Sequence, residues 1–130
     1  MQRCNGSSPT EEDRVLIVED EGVARRAMSS LLTGCGYRTA SAGSAEEALK
    51  LLASNDRLDI ALVDVDLPGM SGLEFVARLE ETRPNVFTVL VTAAGGERIH
   101  SFIREHPVAY LRKPVDFGRL MGLLNDVHAH

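Results

Sequence analysis

The chain has 130 residues, of which 44% are hydrophobic and 25% charged, as expected for one soluble globular domain. Its formal net charge of -5 argues against non-specific nucleic-acid binding as its main role. No apolar run approaches the roughly 18 residues of a membrane span, and the amino-terminal sequence MQRCNGSSPTEED lacks the apolar region of a secretory signal.

The amino-terminal segment differs in composition from the rest of the chain. Residues 1–13 contain Gly, Ser, Pro and acidic residues, so we predict a polar leader or linker there and a folded domain over 14–130. The two cysteines, Cys4 and Cys35, match neither a disulfide framework nor a metal-binding pattern. Cys35 lies between two glycines and is expected to pack as a small residue. Together these features predict a cytoplasmic protein in a reducing compartment.

Five short runs along the chain are predicted to be strands because they are rich in aliphatic and β-branched residues and are bounded by turn signals. In chain order they are RVLIVE at 14–19, YRTASA at 37–42, DIALVD at 59–64, VFTVLV at 86–91 and VAYLR at 108–112. The second run is less apolar than the others, which indicates a more exposed strand.

A helical pattern follows each predicted strand, in residues 21–33, 44–54, 71–82, 97–106 and 116–129. Ser44 with Glu47 and Ser71 with Glu74 have the spacing of capping boxes, in which each serine caps the helix that follows it. Asp116 is expected to cap the last helix.

The first predicted helix carries apolar residues at helical spacing. We expect them to share one helical face, which consists of Ala24, Ala27, Met28, Leu31 and Leu32.

Strands that alternate with helices predict an α/β fold with a parallel sheet covered on both faces. Ligands of such sheets bind beyond the carboxyl ends of the strands, so the residues at those ends are the candidate functional residues. The first strand ends in Glu19 and Asp20, the third in Asp64, the fourth in Thr92 and the fifth in Lys113. One edge of the sheet is therefore predicted to collect three carboxylates, a hydroxyl group and an ammonium group.

Three clustered carboxylates repel one another and raise one another's pKa unless a cation compensates. Mg²⁺ suits such a site because it binds oxygen ligands and takes one or two carboxylates while keeping several waters. A carboxylate beside Mg²⁺ and a lysine can attack a phosphoryl group and form an aspartyl phosphate. The cation and Lys113 would then neutralise the charge on the phosphoryl oxygens.

Four segments, VLIVEDE, LVDVDLPGMSG, VLVTA and YLRKP, make residues 13–128 resemble the response-regulator receiver domain of two-component signalling. Asp20 and Asp64 lie 44 positions apart, a spacing typical of that family. The resemblance implies a flavodoxin-like (βα)5 fold, with a doubly wound parallel sheet of five strands in the order 2-1-3-4-5.

The resemblance also implies roles for the acidic residues. Asp64 would be the phosphoacceptor. Asp20 would bind Mg²⁺ directly together with Asp64, and Glu19 would assist, through a bound water or at the metal itself. The backbone carbonyl of Asp66 would be the third protein ligand of the metal.

Further roles fall on residues that would surround the phosphoryl group. Thr92 would donate a hydrogen bond to it and Lys113 would pair with it, and the backbone N–H groups of Val65 and Ala93 would complete its cradle. Tyr110 would be the aromatic switch residue of the fifth strand, turning inward as Thr92 moves toward the phosphate. The bond between Lys113 and Pro114 is cis in this family.

The implied function is a phosphorelay switch. A sensor histidine kinase or a histidine phosphotransfer protein would supply the phosphoryl group, and the face formed by the fourth helix, the fifth strand and the fifth helix, around residues 97–128, would change in response. A downstream protein target or effector domain would read that face. The domain would have weak autophosphorylation and autodephosphorylation activity, no direct contact with nucleic acid or membrane, and a monomeric resting state that can dimerise on phosphorylation.

Two alternatives remain. A phosphatase of the haloacid-dehalogenase type also forms an aspartyl phosphate at an Asp-x-Asp pair, here Asp64 and Asp66. That family places the pair at its first strand and has Thr or Val where this chain has Pro68. The second alternative is a pseudo-receiver that binds a partner without being phosphorylated, although the intact set of acids, Thr92 and Lys113 argues against it.

Overall fold

A computed structural model describes residues 13–54, 57–93 and 96–129, with side chains up to residue 126. Residues 1–12 of the predicted leader lie outside this part of the chain. None of the helices in the described ranges is long and apolar enough to cross a membrane.

The five predicted strands are present, with bounds within one residue of the predicted ones. They are β1 (Arg14–Val18), β2 (Arg38–Ala42), β3 (Ile60–Asp64), β4 (Phe87–Thr92) and β5 (Val108–Arg112). All neighbouring strands pair in parallel and form one sheet in the order β2-β1-β3-β4-β5. This confirms the predicted flavodoxin-like sheet.

The register of the sheet brings the carboxyl ends of its strands together. Val18 at the end of β1 pairs with Ala42 on one side and with Val63 on the other. Asp64 pairs with Val91. The residues that follow β1, β3, β4 and β5 therefore emerge at the same edge of the sheet.

The five helices are α1 (Gly22–Gly34), α2 (Ala45–Leu52), α3 (Gly72–Thr82), α4 (Glu97–Glu105) and α5 (Phe117–Ala129). Ser44 caps α2 and Ser71 caps α3, each by accepting the N–H of the glutamate three residues later at 3.1 Å. Asp116 caps α5 by accepting the N–H of Arg119 at 3.2 Å. These three predicted caps are confirmed, and each supplies an acceptor for a helix N–H group that has no partner within its helix.

Two apolar layers cover the sheet. Helices α2, α3 and α4 pack on one face, where Phe75, Val76 and Leu79 of α3 are almost completely buried. Helices α1 and α5 lie on the other face, where Leu32, Leu120 and Leu124 are buried. The helices thus cover both faces, as expected for a parallel sheet whose central strands are apolar.

The apolar face predicted for α1 is buried only in part. Leu32 is fully buried and Met28 half-buried, but Ala24, Ala27 and Leu31 are exposed, and Leu31 keeps 48% of its surface. The helical spacing identified the side of α1 that faces the sheet, but α1 approaches the sheet closely only at its carboxyl end.

The prediction for Cys35 is right about its packing but missed its disulfide bond. Cys35 is buried with the α1 and α5 layer, as a small packing residue would be, but it is also disulfide-bonded. Cysteine usage therefore no longer supports a reducing compartment.

Candidate phosphorylation site

The polar residues predicted from the strand ends converge at one edge of the sheet. Asp64 is the last residue of β3 and Thr92 the last of β4, and both are buried. Glu19 and Asp20 directly follow β1, and Lys113 directly follows β5. Parallel pairing is the reason for this convergence, because it points the carboxyl ends of all strands in one direction.

Lys113 joins the two buried carboxylates. Its Nζ lies 2.9 Å from Asp64 Oδ2 and 2.9 Å from Glu19 Oε1. Only 3% of the Asp64 side chain and 11% of the Glu19 side chain are exposed. Buried charges at this depth need a partner of opposite sign, and one ammonium group serves two carboxylates here.

The ionisation of these groups reflects burial and their mutual contacts. Burial raises the pKa of the Glu19 carboxyl, and the nearby charge of Asp64 adds to the rise, while hydrogen bonds from the Glu21 N–H and Lys113 oppose it. Burial works to lower the pKa of Lys113, but its hydrogen bonds to Asp64 and Glu19 outweigh this effect and its pKa is raised. The lysine therefore stays charged, and the site still favours additional positive charge.

Three carboxylates of the site could hold a metal ion. Glu19, Asp20 and Asp64 each offer one oxygen, and these oxygens lie within 4.8 Å of one another. Glu19 and Asp64 are buried, whereas Asp20 is exposed. An all-oxygen set with an exposed side suits Mg²⁺, which binds carboxylates while retaining waters. The residues present therefore fit the predicted ion.

The first two backbone N–H groups of the connection from β3 to α3 both donate hydrogen bonds beside the site. The Asp66 N–H donates to Asp64 Oδ1 at 2.9 Å. The Val65 N–H donates to the carbonyl of Val91 at 2.9 Å and so continues the ladder between β3 and β4. The predicted contact of Val65 with a phosphoryl group would require this hydrogen bond to open. The side chain of Asp66 is exposed and is not one of the three clustered carboxylates.

On the other side of the site, β4 and β5 hold Thr92 next to Lys113. The Lys113 N–H donates to the carbonyl of Thr92 at 2.8 Å. Ala93 follows β4 and is exposed, and the bond between Lys113 and Pro114 is cis, as the resemblance implied. These contacts fix the backbones of the hydroxyl and ammonium residues relative to each other.

Tyr110, the predicted switch residue, lies in β5 opposite Leu90 and is half-buried. Its ring meets that of His100 on α4 edge to face, with the two ring centroids 6.5 Å apart and the planes at 79°. The contact connects β5 to α4, two elements of the predicted output face.

Arg25 supports the site, although no motif in the sequence indicates this role. From α1 its Nη1 donates to the backbone carbonyl of Glu19 at 2.8 Å. Its guanidinium also lies 3.2 Å from where a Cβ at Gly43 would be, so the absence of a side chain there leaves it room. The only feature of the sequence that indicates this contact is the position of Arg25 early in the helix after Glu19. That feature is weak, because many arginines at such positions face solvent.

A cavity of about 580 Å³ adjoins the acidic site. Its walls are mostly apolar and come from α1, the sheet, and the start of α5, and include Ala27, Met28, Leu62 and Leu120. Glu19, Asp64 and Lys113 line its polar end. The gap left by the exposed part of α1 therefore opens onto the carboxylate of Asp64.

Comparison with known proteins agrees with this geometry. Residues 15–125 match the response regulator receiver domain family. The chain is 36% identical to a cyclic di-GMP phosphodiesterase of Thermotoga maritima, over 78% of this chain and 27% of that protein. It is 32% identical to the response regulator protein FleR of Pseudomonas aeruginosa, over 85% of this chain and 24% of that protein. The chain thus spans about a quarter of the length of these two relatives.

Solved structures share the fold. A CheY-like receiver domain from Methanospirillum hungatei superposes with a TM-score of 0.81 at 28% identity, covering 88% of this chain and 91% of that one. The response regulator protein TrrA of Thermotoga maritima, solved in complex with Mg²⁺ and BeF, has a TM-score of 0.77 at 28% identity, covering 88% and 97%.

Proposed function

The chain belongs to the response regulator receiver domain family, and from this premise we propose that Asp64 accepts a phosphoryl group from a partner phosphohistidine. The observation that carries the proposal is the buried Asp64 carboxylate, which lies 2.9 Å from Lys113 Nζ. One of its oxygens is within 4.8 Å of carboxylate oxygens of Glu19 and Asp20. In the reaction the bond between phosphorus and the histidine nitrogen breaks, and a bond between phosphorus and an Asp64 oxygen forms. The histidine leaves with the electron pair and takes up a proton.

Mg²⁺ is the proposed cofactor, and when bound it would neutralise negative charge on the phosphoryl oxygens. Asp20, Asp64 and the backbone carbonyl of Asp66 would hold it, with Glu19 assisting. This assignment is supported by the three clustered carboxylates, and by the Mg²⁺ bound in the complex of the similar protein TrrA.

The phosphoryl group would be bound by side chains already near Asp64. Lys113 would exchange its contact with Asp64 Oδ2 for one with the phosphoryl oxygens, and the Thr92 hydroxyl would donate a further hydrogen bond. The N–H groups of Val65 and Ala93 are proposed as additional donors. Such oriented donors stabilise the charge that spreads over the oxygens during transfer.

The proposed consequence of phosphorylation is a change of the face formed by α4, β5 and α5. Thr92 lies at the end of β4, next to β5, and Tyr110 of β5 contacts His100 of α4. A movement of Thr92 toward the phosphoryl group would free space for the ring of Tyr110 and so alter that face. A downstream protein or an effector domain would bind the altered face.

The proposed phosphodonor is a sensor histidine kinase or a histidine phosphotransfer protein, and the proposed location is the cytoplasm. The open cavity beside Asp64 supports transfer from a protein partner, because it leaves the polar end of the site accessible from the side of α1. Slow loss of the phosphoryl group to water, catalysed by the domain itself, is also proposed.

The decisive experiment is the intact mass of the protein after incubation with acetyl phosphate, with and without Mg²⁺. We expect the wild type to gain one phosphoryl group only with Mg²⁺ and Asp64→Asn to gain none. Asp66→Asn is the matched control, because it changes a nearby exposed aspartate without removing its backbone carbonyl, and it should still be phosphorylated. A folded wild type that gains no mass would contradict the proposal and favour a pseudo-receiver.

A further inference from the structure

The segment between β3 and α3, residues 65–71, carries part of the site but belongs to neither element. It is closed at its base by the Gly72 N–H, which donates to the carbonyl of Val65 at 3.1 Å. Near its start the Asp66 N–H contacts Asp64. Its far end turns at Gly69, whose φ of +74° lies in the region that glycine favours. The conformation of this segment decides where Asp66 is placed.

A side chain from a distant part of the chain contacts that turn. Glu46 Oε2 accepts the backbone N–H of Met70 at 3.0 Å, across 24 positions of sequence. A Cβ added at Gly69 would lie 2.9 Å from the same oxygen. The carboxylate therefore packs directly against the peptide between Gly69 and Met70.

Glu46 is well placed to hold a segment of backbone. It lies in the first turn of α2, a helix capped by Ser44 and anchored in the core by the fully buried Ala45 and Ala48. Hydrogen bonds from the N–H of Met70 and from its own N–H lower the pKa of the Glu46 carboxyl. Its negative charge is also favoured at the amino end of a helix. Glu46 thus presents a charged acceptor from a fixed base.

We propose that Glu46 is a positioning residue of the phosphorylation site. By accepting the Met70 N–H, Glu46 keeps residues 65–71 in one conformation. In that conformation the backbone carbonyl of Asp66 is positioned to bind Mg²⁺. This inference rests on the proposed function, since it assigns to Glu46 a role in preparing the metal site. Groups that orient metal ligands in this way commonly affect metal affinity without touching the metal.

The test compares Glu46→Ala and Glu46→Gln with the wild type. Backbone amide hydrogen exchange at Met70, measured by NMR without metal, reports whether the turn is held. Mg²⁺ affinity is then measured by titration, followed through the amide signal of Asp66. Glu81→Ala is the matched control, because it removes one negative charge from an exposed glutamate at the opposite end of α3.

Glu46→Ala should speed exchange at Met70 and weaken Mg²⁺ binding by about two- to tenfold, which corresponds to the net value of one hydrogen bond. Glu46→Gln keeps an oxygen acceptor and should lie closer to the wild type in both measurements. Glu81→Ala should match the wild type.

Three results would overturn the inference. Unchanged exchange in Glu46→Ala would show that the turn is not held by Glu46. Faster exchange with unchanged Mg²⁺ affinity would limit Glu46 to a structural role. Equal weakening in Glu46→Gln and Glu46→Ala would assign the effect to charge alone. These results differ from a wild type that binds no Mg²⁺, which would defeat the proposed function itself.

Discussion

Helices α1 and α3 occupy equivalent places in the sequence but pack very differently. Each begins shortly after a strand that delivers acids to the site, α1 after Glu19 and Asp20 and α3 after Asp64. Five residues of α3 are buried, whereas Leu32 is the one buried residue of α1. The side of the site that carries Asp64 is therefore tightly packed, and the side that carries the first acidic pair is open to a cavity.

This difference is consistent with the proposed function. Asp64 needs a fixed position to be a reactive nucleophile, and α3 supplies it through close contact with the end of β3. A partner that delivers a phosphoryl group needs access, and the loosely packed amino-terminal half of α1 leaves it beside the cavity. Packing strength thus divides the surroundings of the site into a fixed side and an accessible side.

The largest expected effect tests the packing of the two helices directly. Phe75→Ala in α3 removes a side chain with no exposed surface, and it should lower the free energy of unfolding by about 3–5 kcal/mol. Leu31→Ala in α1 removes a side chain that is 48% exposed, and it should cost about 1 kcal/mol or less. Urea unfolding of both variants measures the difference, and comparable losses would contradict the contrast between the helices.

A smaller effect is expected from the glycines that begin the two helices. A Cβ at Gly72 of α3 would lie 2.1 Å from the carbonyl oxygen of Asp64, which is backbone and cannot move freely. Gly72→Ala should therefore lower the free energy of unfolding by about 1–3 kcal/mol, from overpacking, and slow phosphorylation of Asp64. A Cβ at Gly22 of α1 would lie 3.2 Å from the flexible end of Arg26.

Gly22→Ala is the matched control for that substitution. The arginine can move aside, and alanine favours a helix more than glycine does. The free energy of unfolding of Gly22→Ala should therefore rise, by about 1 kcal/mol or less. Thermal unfolding of the two variants under the same conditions gives the comparison. Equal melting temperatures for Gly72→Ala and Gly22→Ala would show that α3 does not begin as tightly against β3 as described.

A pH-dependent effect tests the carboxyl end of α1, which is packed. Tyr37 follows this end, is buried in the same layer as Leu32 and donates its backbone N–H to the Leu32 carbonyl at 3.1 Å. Burial raises the pKa of Tyr37 to about 12, with a further contribution from the charge of Asp13. The folded protein keeps this proton at a pH where the unfolded chain loses it. Stability should therefore fall as pH rises from 10 toward 12, because the unfolded state is then the better acid.

Absorbance titration of the phenolate checks this value, and Trp does not interfere because the chain has none. The chain has two tyrosines, so Tyr110 is the only one left in Tyr37→Phe. The difference between the two titration curves is then the ionisation of Tyr37. The variant should also lose the stability change above pH 10. A Tyr37 that titrates at its ordinary pKa of 10.0 would show that this end of α1 is as open as its beginning.

Much of the fold could be predicted from local patterns. The strand predicted at 14–19 is Arg14–Val18, and the one predicted at 59–64 is Ile60–Asp64, because runs of aliphatic residues bounded by turn signals are local features. The caps at Ser44 and Ser71 were predictable for the same reason, since each joins residues three positions apart.

The convergence of the site residues also followed from the sequence. Once the strands were known to be parallel, Glu19, Asp64, Thr92 and Lys113 had to meet at one edge of the sheet, whatever the details of packing. The contacts of Lys113 with Asp64 and Glu19 at 2.9 Å are the expected result of that arrangement.

Contacts between distant segments could not be predicted in this way. The exposure of Ala24, Ala27 and Leu31 depends on how closely α1 approaches the sheet, and helical spacing specifies a face but not a distance. The disulfide bond of Cys35, the hold of Arg25 on the Glu19 carbonyl and the contact of Glu46 with Met70 each require two segments to meet in space.

The sequence by itself determined the order of strands and helices, the edge of the sheet where the acids, Thr92 and Lys113 meet, and the chemistry available there. The elements depend on residue type and on spacings of two to four positions, and the shared edge depends on the parallel pairing that alternating strands and helices imply. The tertiary structure alone decided that α3 is fixed against Asp64, that α1 leaves a cavity beside it, and that Glu46 reaches the turn at Met70. Those outcomes depend on the final distances between packed elements, which the pattern of residues along the chain does not contain.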